Sequence, residues 1–201
     1  MKRKVDPSLY TKNYFECHCR GQDRVTGLET GELHPIFSRA LNAAGLKGRE
    51  RILDYGFGRG ELLYYCARIG CEVTGIDVSE AACELARETL AILPEEARRK
   101  IELKASSVEQ IRPAEESYDV IFMIDVFEHL YDWELDLLLP KFYRALKKDG
   151  RLIIQTPFSL KARLLQYGFK GRIECVDPSK NLLSLIFKRR AGRTIDAVAM
   201  K

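Results

Sequence analysis

Apolar residues recur along this chain at two periods, and the alternation between them sets out its elements. Residues 32–47 carry Leu33, Ile36, Phe37, Ala40, Leu41 and Ala44 at helical spacing, with Gly45 and Gly48 marking the end. The short run Ile52-Leu53 predicts a strand stopping at Asp54, and Glu61 to Ile69 reads as the helix behind it. A second strand spans Cys71 to Asp77, followed by a helix that Ser79 caps and that runs to Leu90. Pro94 opens a further short helical piece, and Ile101 to Ala105 makes a third strand. Tyr118 to Ile124 is nearly continuous apolar sequence, the pattern of a strand buried on both faces of a parallel sheet. Asp132 is the expected cap of an amphipathic helix to Lys147. Asp149-Gly150 then turns into a strand over Arg151–Gln155, which Thr156-Pro157 stops. A short helix from Leu160 to Gln166 and strands at Arg172–Val176 and Leu182–Lys188 follow. Five strands alternating with helices give an α/β fold, a parallel sheet covered on both faces. Residues 1–31 show little periodicity and Ala191 to Lys201 reads as a tail. No linker, repeat or low-complexity segment divides the chain, so a single domain is expected.

The turns carry the candidate chemistry. Between the first strand and its helix lies Asp54-Tyr-Gly-Phe-Gly-Arg-Gly60, with glycines at Gly56, Gly58 and Gly60. Glycines allow positive φ and let a ligand lie against bare backbone. A helix N-terminus behind them favours an anionic group. The spacing is G-x-G-x-G, not the G-x-G-x-x-G of a dinucleotide fold. Asp77 ends the next strand, so a parallel sheet puts it at the same carboxyl edge, where a carboxylate can accept from both hydroxyls of a ribose. Ser107 and Asp125 fall at that edge too. A nucleotide-type ligand is the reading this pattern favours over a purely structural turn.

Four stretches then resemble, in order and spacing, the motifs of class I S-adenosylmethionine-dependent methyltransferases. They are Asp54–Gly60, Thr74-Gly-Ile-Asp77-Val-Ser, Tyr118-Asp-Val-Ile-Phe-Met-Ile-Asp125-Val-Phe-Glu-His-Leu130 and Leu146-Lys-Lys-Asp-Gly-Arg-Leu-Ile-Ile-Gln-Thr-Pro157. The resemblance implies a Rossmann-like, seven-stranded, mostly parallel sheet with helices on both faces, the last two strands closing it as an antiparallel pair. It implies S-adenosyl-L-methionine as cofactor. Gly56, Gly58 and Gly60 would bind the cofactor, Gly56 and Gly58 passing close to its methionine part. Asp77 and Val78 would meet the ribose, Ser107 and Val108 the adenine, and Asp54 the loop or, through water, the amino group. Many relatives have an Asp at the place of Ser107, so this chain departs from the pattern there. Asp125, a third acidic strand terminus, is a further cofactor-binding candidate. Tyr10 and Tyr14, in residues 1–31, are candidates for a lid over the cofactor; packing on the domain's flank is the other reading. The domain itself would occupy residues 32–188, with a basic tail at 189–201.

Methyl transfer needs alignment and exclusion of water, and a base only where the acceptor must lose a proton. Asp125-Val-Phe-Glu128-His129 is the place to look for one, with His129 and Glu128 as candidates; holding the loop is the alternative role. The spacing is similar to the Glu-x-x-Glu-His of quinone-biosynthesis O-methyltransferases, where a divalent cation is implied. Three ligands on one turn rarely suffice, and no metal is assigned here. Cys17-His18-Cys19 lacks the second pair that a zinc site wants. No Asn/Asp-Pro-Pro-Tyr and no Pro-Cys follows the fourth strand, which disfavours chemistry on bases.

Composition changes this picture at one point. The net charge is +4 over 201 residues. Lys2, Arg3 and Lys4 carry three of the positive charges and residues 188–201 a net four more, so the body between is at −3. Nucleic-acid enzymes need a basic track near the site, and this body is acidic. No run approaches 18 apolar residues, and no apolar stretch follows the basic start. The 6 cysteines are scattered, in the manner of reduced thiols, and a cytoplasmic protein is expected. A small-molecule O- or N-methyltransferase is the leading reading. An RNA or protein methyltransferase, or a cofactor-binding module without turnover, stands beside it.

Overall fold

The structure is a computed structural model and describes residues 4–17, 28, 34–157, 172–177 and 182–188. Five strands pair in parallel: β1 (Arg51–Tyr55), β2 (Glu72–Asp77), β3 (Ile101–Ala105), β4 (Tyr118–Ile124) and β5 (Leu146–Pro157). Their order is β3-β2-β1-β4-β5, so the chain winds one way from β1 and then the other. β1 and β4 therefore flank the point where strand order reverses, which is where open α/β sheets bind ligands. Beyond β5, backbone pairing continues antiparallel to β7 (Leu182–Lys188) and from β7 to β6 (Arg172–Asp177).

Alternate residues of each strand enter two apolar layers, as the period of two requires. Ile52, Val73, Val120, Phe122 and Ile153 face α2 (Pro35–Ala44), α3 (Glu61–Arg68) and α4 (Glu80–Leu90). Leu53, Ile121, Met123, Leu152 and Ile154 face α6 (Asp132–Ala145). Phe122 and Phe142 are fully buried, one in each layer. Truncating either to Ala costs about 3–5 kcal/mol. Gly75 in β2 is a packing necessity, since a Cβ there would lie 2.8 Å from the ring of Phe57.

Two short α-helices, α1 (Lys12–Cys17) before the domain and α5 (Glu95–Arg98) ahead of β3, and single 3-10 turns at Pro7–Leu9 and Phe127–His129 are also described. Several boundaries move from the sequence reading. The first amphipathic helix starts at Pro35 with His34 as its N-cap and ends at the left-handed Gly45. α6 is capped at Tyr131 rather than at Asp132: the Glu134 carboxylate, one turn in, accepts from the Tyr131 N–H at 2.9 Å. It stops at Ala145, because β5 begins at Leu146, earlier than Arg151, to meet Tyr118 of β4. Ser79 is the N-cap of α4, accepting from the Ala82 N–H at 3.3 Å. The expected helix at 160–166, the tail at 191–201, and His18 and Cys19 lie outside the described residues. Cys17 is exposed at the end of α1.

Candidate functional site

The carboxyl ends of β1 to β4 open into a cleft of about 400 Å³, within the range of small-ligand pockets. Its floor is the glycine turn. Gly56 has φ +75°, and a Cβ there would sit 2.3 Å from Val126, so no other residue fits. Gly58 has φ +56°, but a Cβ would meet only the Phe15 ring at 3.7 Å; its bare surface faces the cleft. Gly60 departs from the sequence reading. A Cβ there would lie 2.9 Å from Ala86 of α4, and Gly60 does not line the cleft, so its work is helix packing.

Asp77 ties this turn to the next helix. One carboxylate oxygen accepts from the Gly58 N–H at 3.1 Å and the other from the Ser79 N–H at 3.0 Å. Burial pushes its pKa above the ordinary value, against the pull of those backbone donors. Asp54, buried beneath the turn, is pushed up to about 8 by burial, with the charges of Asp77 and Glu61 adding to it. Glu61 is buried in the first turn of α3, with the Arg59 guanidinium 3.8 Å away. Three carboxyl groups thus crowd one end of the cleft, an environment that favours a positively charged ligand.

At the end of β3, Ser107 and Val108 line the cleft. The Ser107 hydroxyl is engaged, donating to the Gln110 side-chain oxygen at 3.3 Å. At the end of β4, Asp125 takes a left-handed φ of +54° while its N–H donates to Gln155 O at 3.0 Å. A non-glycine residue there stores about 1 kcal/mol, and such outliers gather at functional sites. The turn Phe127–His129 follows. The buried Thr156 hydroxyl donates to Glu128 at 3.1 Å and fixes that carboxylate. His129 is held below its usual pKa by burial, with Asp125 partly opposing, so its imidazole is neutral at pH 7. Among the described residues no three His, Cys, Asp or Glu side chains converge as a metal site would require.

The N-terminal segment forms the roof. Val5 N–H donates to Glu134 at 3.2 Å and the Ser79 hydroxyl donates to Tyr10 O at 2.6 Å. Tyr10 packs edge-on to Tyr14 at 5.1 Å and to His129 at 6.3 Å, ring centre to centre. Tyr10, Tyr14, Asp54, Gly56, Gly58, Asp77, Val78, Ser107, Val108, Asp125, Glu128 and His129 all line this one cleft. Sequence reasoning missed Arg59, Glu61, Glu109 and Glu134, which line it too. Glu61 could have been found as the first helical residue after the glycines. Glu134 carried no signal, since its partner Val5 is 129 positions away.

The family profile for the methyltransferase domain matches residues 30–186. A ubiquinone biosynthesis O-methyltransferase of Mesorhizobium japonicum is 35% identical over 106 residues, which are 53% of this chain and 40% of that protein. The chain spans less than half the length of the curated relatives it matches. In fold it is similar to a TehB-like SAM-dependent methyltransferase of Corynebacterium glutamicum, with a TM-score of 0.68 at 18% identity over 92% of this chain and 100% of that one. A coclaurine N-methyltransferase bound to N-methylheliamine and SAH superposes with a TM-score of 0.50 at 28% identity, over 60% of this chain and 34% of that one.

Proposed function

The chain belongs to the methyltransferase-domain family, and from that premise we propose that it is an S-adenosylmethionine-dependent enzyme moving a methyl group to an O or N of a small molecule. The observation that carries the reading is the Asp77–Gly58 bond at 3.1 Å, which locks a bare glycine surface and a ribose-competent carboxylate together at the strand-order reversal. The residues present fit the cofactor. Each oxygen of Asp77 accepts one backbone bond and keeps capacity for a ribose hydroxyl. Asp54 and Glu61 suit its positive charges, and Val78 and Val108 offer apolar contact to the base. When bound, the cofactor supplies the activated methyl group.

This chain's own part is alignment and proton handling. The acceptor would lie between the end of β4 and the roof, among Asp125, Glu128, His129, Tyr10 and Tyr14. A neutral His129 can take the proton an O–H or ammonium acceptor gives up. Asp125, whose charge already opposes the lowering of the His129 pKa, would stabilise the imidazolium, and Glu128 is held beside it by Thr156. The roof of residues 4–17 acts as a lid that excludes water. A cleft of about 400 Å³ shared with the cofactor supports a small acceptor, and its many carboxylates oppose a polyanion such as RNA. The relatives named for ubiquinone biosynthesis O-methylation support the same class.

We read β6 and β7 as completing the seven-stranded sheet of class I methyltransferases, supported by their antiparallel pairing beside β5. Residues 32–188 are then the catalytic domain. The buried free thiols Cys66, Cys71 and Cys83 support a reducing, cytoplasmic setting. The test supplies purified protein with labelled-methyl cofactor and either a small-metabolite extract or total RNA. Label entering small molecules is the expected result. Label in RNA alone, or nowhere despite cofactor binding, contradicts the proposal.

A further inference from the structure

Tyr55 is the last residue of β1 and follows Asp54 directly. Successive side chains of a strand point to opposite faces, so these neighbours serve opposite sides of the cleft that both of them line. Asp54 lies toward α3, where the charges of Asp77 and Glu61 bear on it. Tyr55 turns the other way, into the apolar layer of α6 with Val108 and Leu130, and Val5 of the roof packs against that layer. Its ring stands edge-on to Phe142 at 5.5 Å, centre to centre, and only 4% of the residue is exposed. A ring so enclosed holds its hydroxyl in place.

That hydroxyl differs from those of Tyr64 and Tyr118, which are buried too. Tyr64 donates to the Leu28 carbonyl at 3.3 Å and Tyr118 to the Thr74 hydroxyl at 3.4 Å, as enclosed phenols normally do. The Tyr55 hydroxyl meets no hydrogen-bond partner among the described residues. Nor is it sealed from solvent, as the partnerless side-chain atoms of Gln155 are. The Glu134 carboxylate is already taken by the Val5 and Tyr131 N–H groups. Burial raises the phenol's pKa far above its ordinary value, and the charges of Asp77, Glu134 and Glu109 add to this, so it keeps its proton. A Phe would pack as well without enclosing an unmet donor. The cleft thus has carboxyl groups toward α3 and a neutral donor on an apolar ledge toward α6. S-adenosylmethionine carries its positive charges on the sulfonium and the amino group, and its nucleoside is neutral. Resting on the reading that this cleft takes that cofactor, we propose that Tyr55 is a cofactor-binding residue whose hydroxyl donates to an oxygen or ring nitrogen of the nucleoside end.

The test titrates S-adenosylhomocysteine and 5′-methylthioadenosine, which share the nucleoside, into the full chain by calorimetry. It compares wild type with Tyr55→Phe and melts both free proteins alongside. Tyr55→Phe keeps the ring and removes only the donor. The variant is expected to melt at the wild-type temperature or above it, because the free fold gives that hydroxyl no partner. Both ligands should weaken by the same factor, about fivefold, the scale of one neutral hydrogen bond. A loss for only one of the two, or unchanged affinity for both, overturns the assignment. So does a wild type that holds S-adenosylhomocysteine but not the nucleoside. A melting temperature that falls together with affinity makes the role structural and overturns it as well. A wild type that binds neither these compounds nor S-adenosylmethionine instead removes the cofactor reading beneath it.

Discussion

Asp54 shows how one residue couples ligand, pH and stability. Burial and the nearby Asp77 and Glu61 carboxylates raise its pKa to about 8, so the free fold holds it protonated at neutral pH. A raised pKa means that the folded state binds the proton more tightly than the unfolded chain, whose Asp titrates near ~3.9. The stability this gives is full below the unfolded value and is lost as pH rises through about 8. The free protein should therefore melt at falling temperature from about pH 4 to about pH 8, with Asp54→Asn flattening most of that slope. A positively charged ligand reverses the balance and takes the carboxylate form, so cofactor affinity should rise over the same range. Identical slopes in wild type and Asp54→Asn would show that the decline has another source. Asp54 and Asp77 were legible in the sequence because each ends an apolar strand, and strand ends share an edge. Gly60 was misread because a glycine needed for helix packing and one needed for ligand approach look alike in a motif. Only the 2.9 Å approach of Ala86 separates them.

At the scale of elements, the roof is fastened by side-chain bonds to backbone from Val5 to Glu134 and from Ser79 to Tyr10, together with the Lys12–Glu88 ion pair to α4 at 3.2 Å and the buried Phe15. Neither end of the segment has a periodic pattern, so sequence could name Tyr10 and Tyr14 without saying what fastens them. The regular elements were easier. β4 announced itself by seven nearly unbroken apolar positions, and α4 by Ser79. The start of β5 was hidden because Lys147, Lys148 and Asp149 are polar; pairing with Tyr118, not hydrophobicity, decides that register. The roof can be tested through Glu134, which also caps α6 by accepting from Tyr131. Glu134→Ala should speed amide exchange at Val5 about tenfold, the effect of one charge-assisted bond. Exchange at the centre of α6 should stay protected. If Val5 exchanges at the wild-type rate in this variant, the segment is held by other contacts and the lid account loses its fastener.

The whole molecule is a two-sided apolar stack that brings four strand ends to one rim. The reversal of strand order beside β1 leaves room there for a ligand, and Gly56, Gly58 and three carboxyl groups give that room its chemistry. Fold and cofactor class were readable because a buried parallel strand and a strand-to-helix glycine turn have local signatures. The proposed acceptor site is not written locally: that part of the cleft is lined from residues 4–17, the turn Phe127–His129 and the start of α6, elements far apart in the chain. One measurement tests the central claim most directly, the calorimetric titration of S-adenosylmethionine into the wild type and Asp77→Ala. The account predicts saturable binding in the wild type and a loss of about 1–3 kcal/mol, roughly fivefold to 150-fold, in the variant. Equal affinity in the two, or no binding heat and no thermal shift in the wild type at about millimolar cofactor, would contradict it.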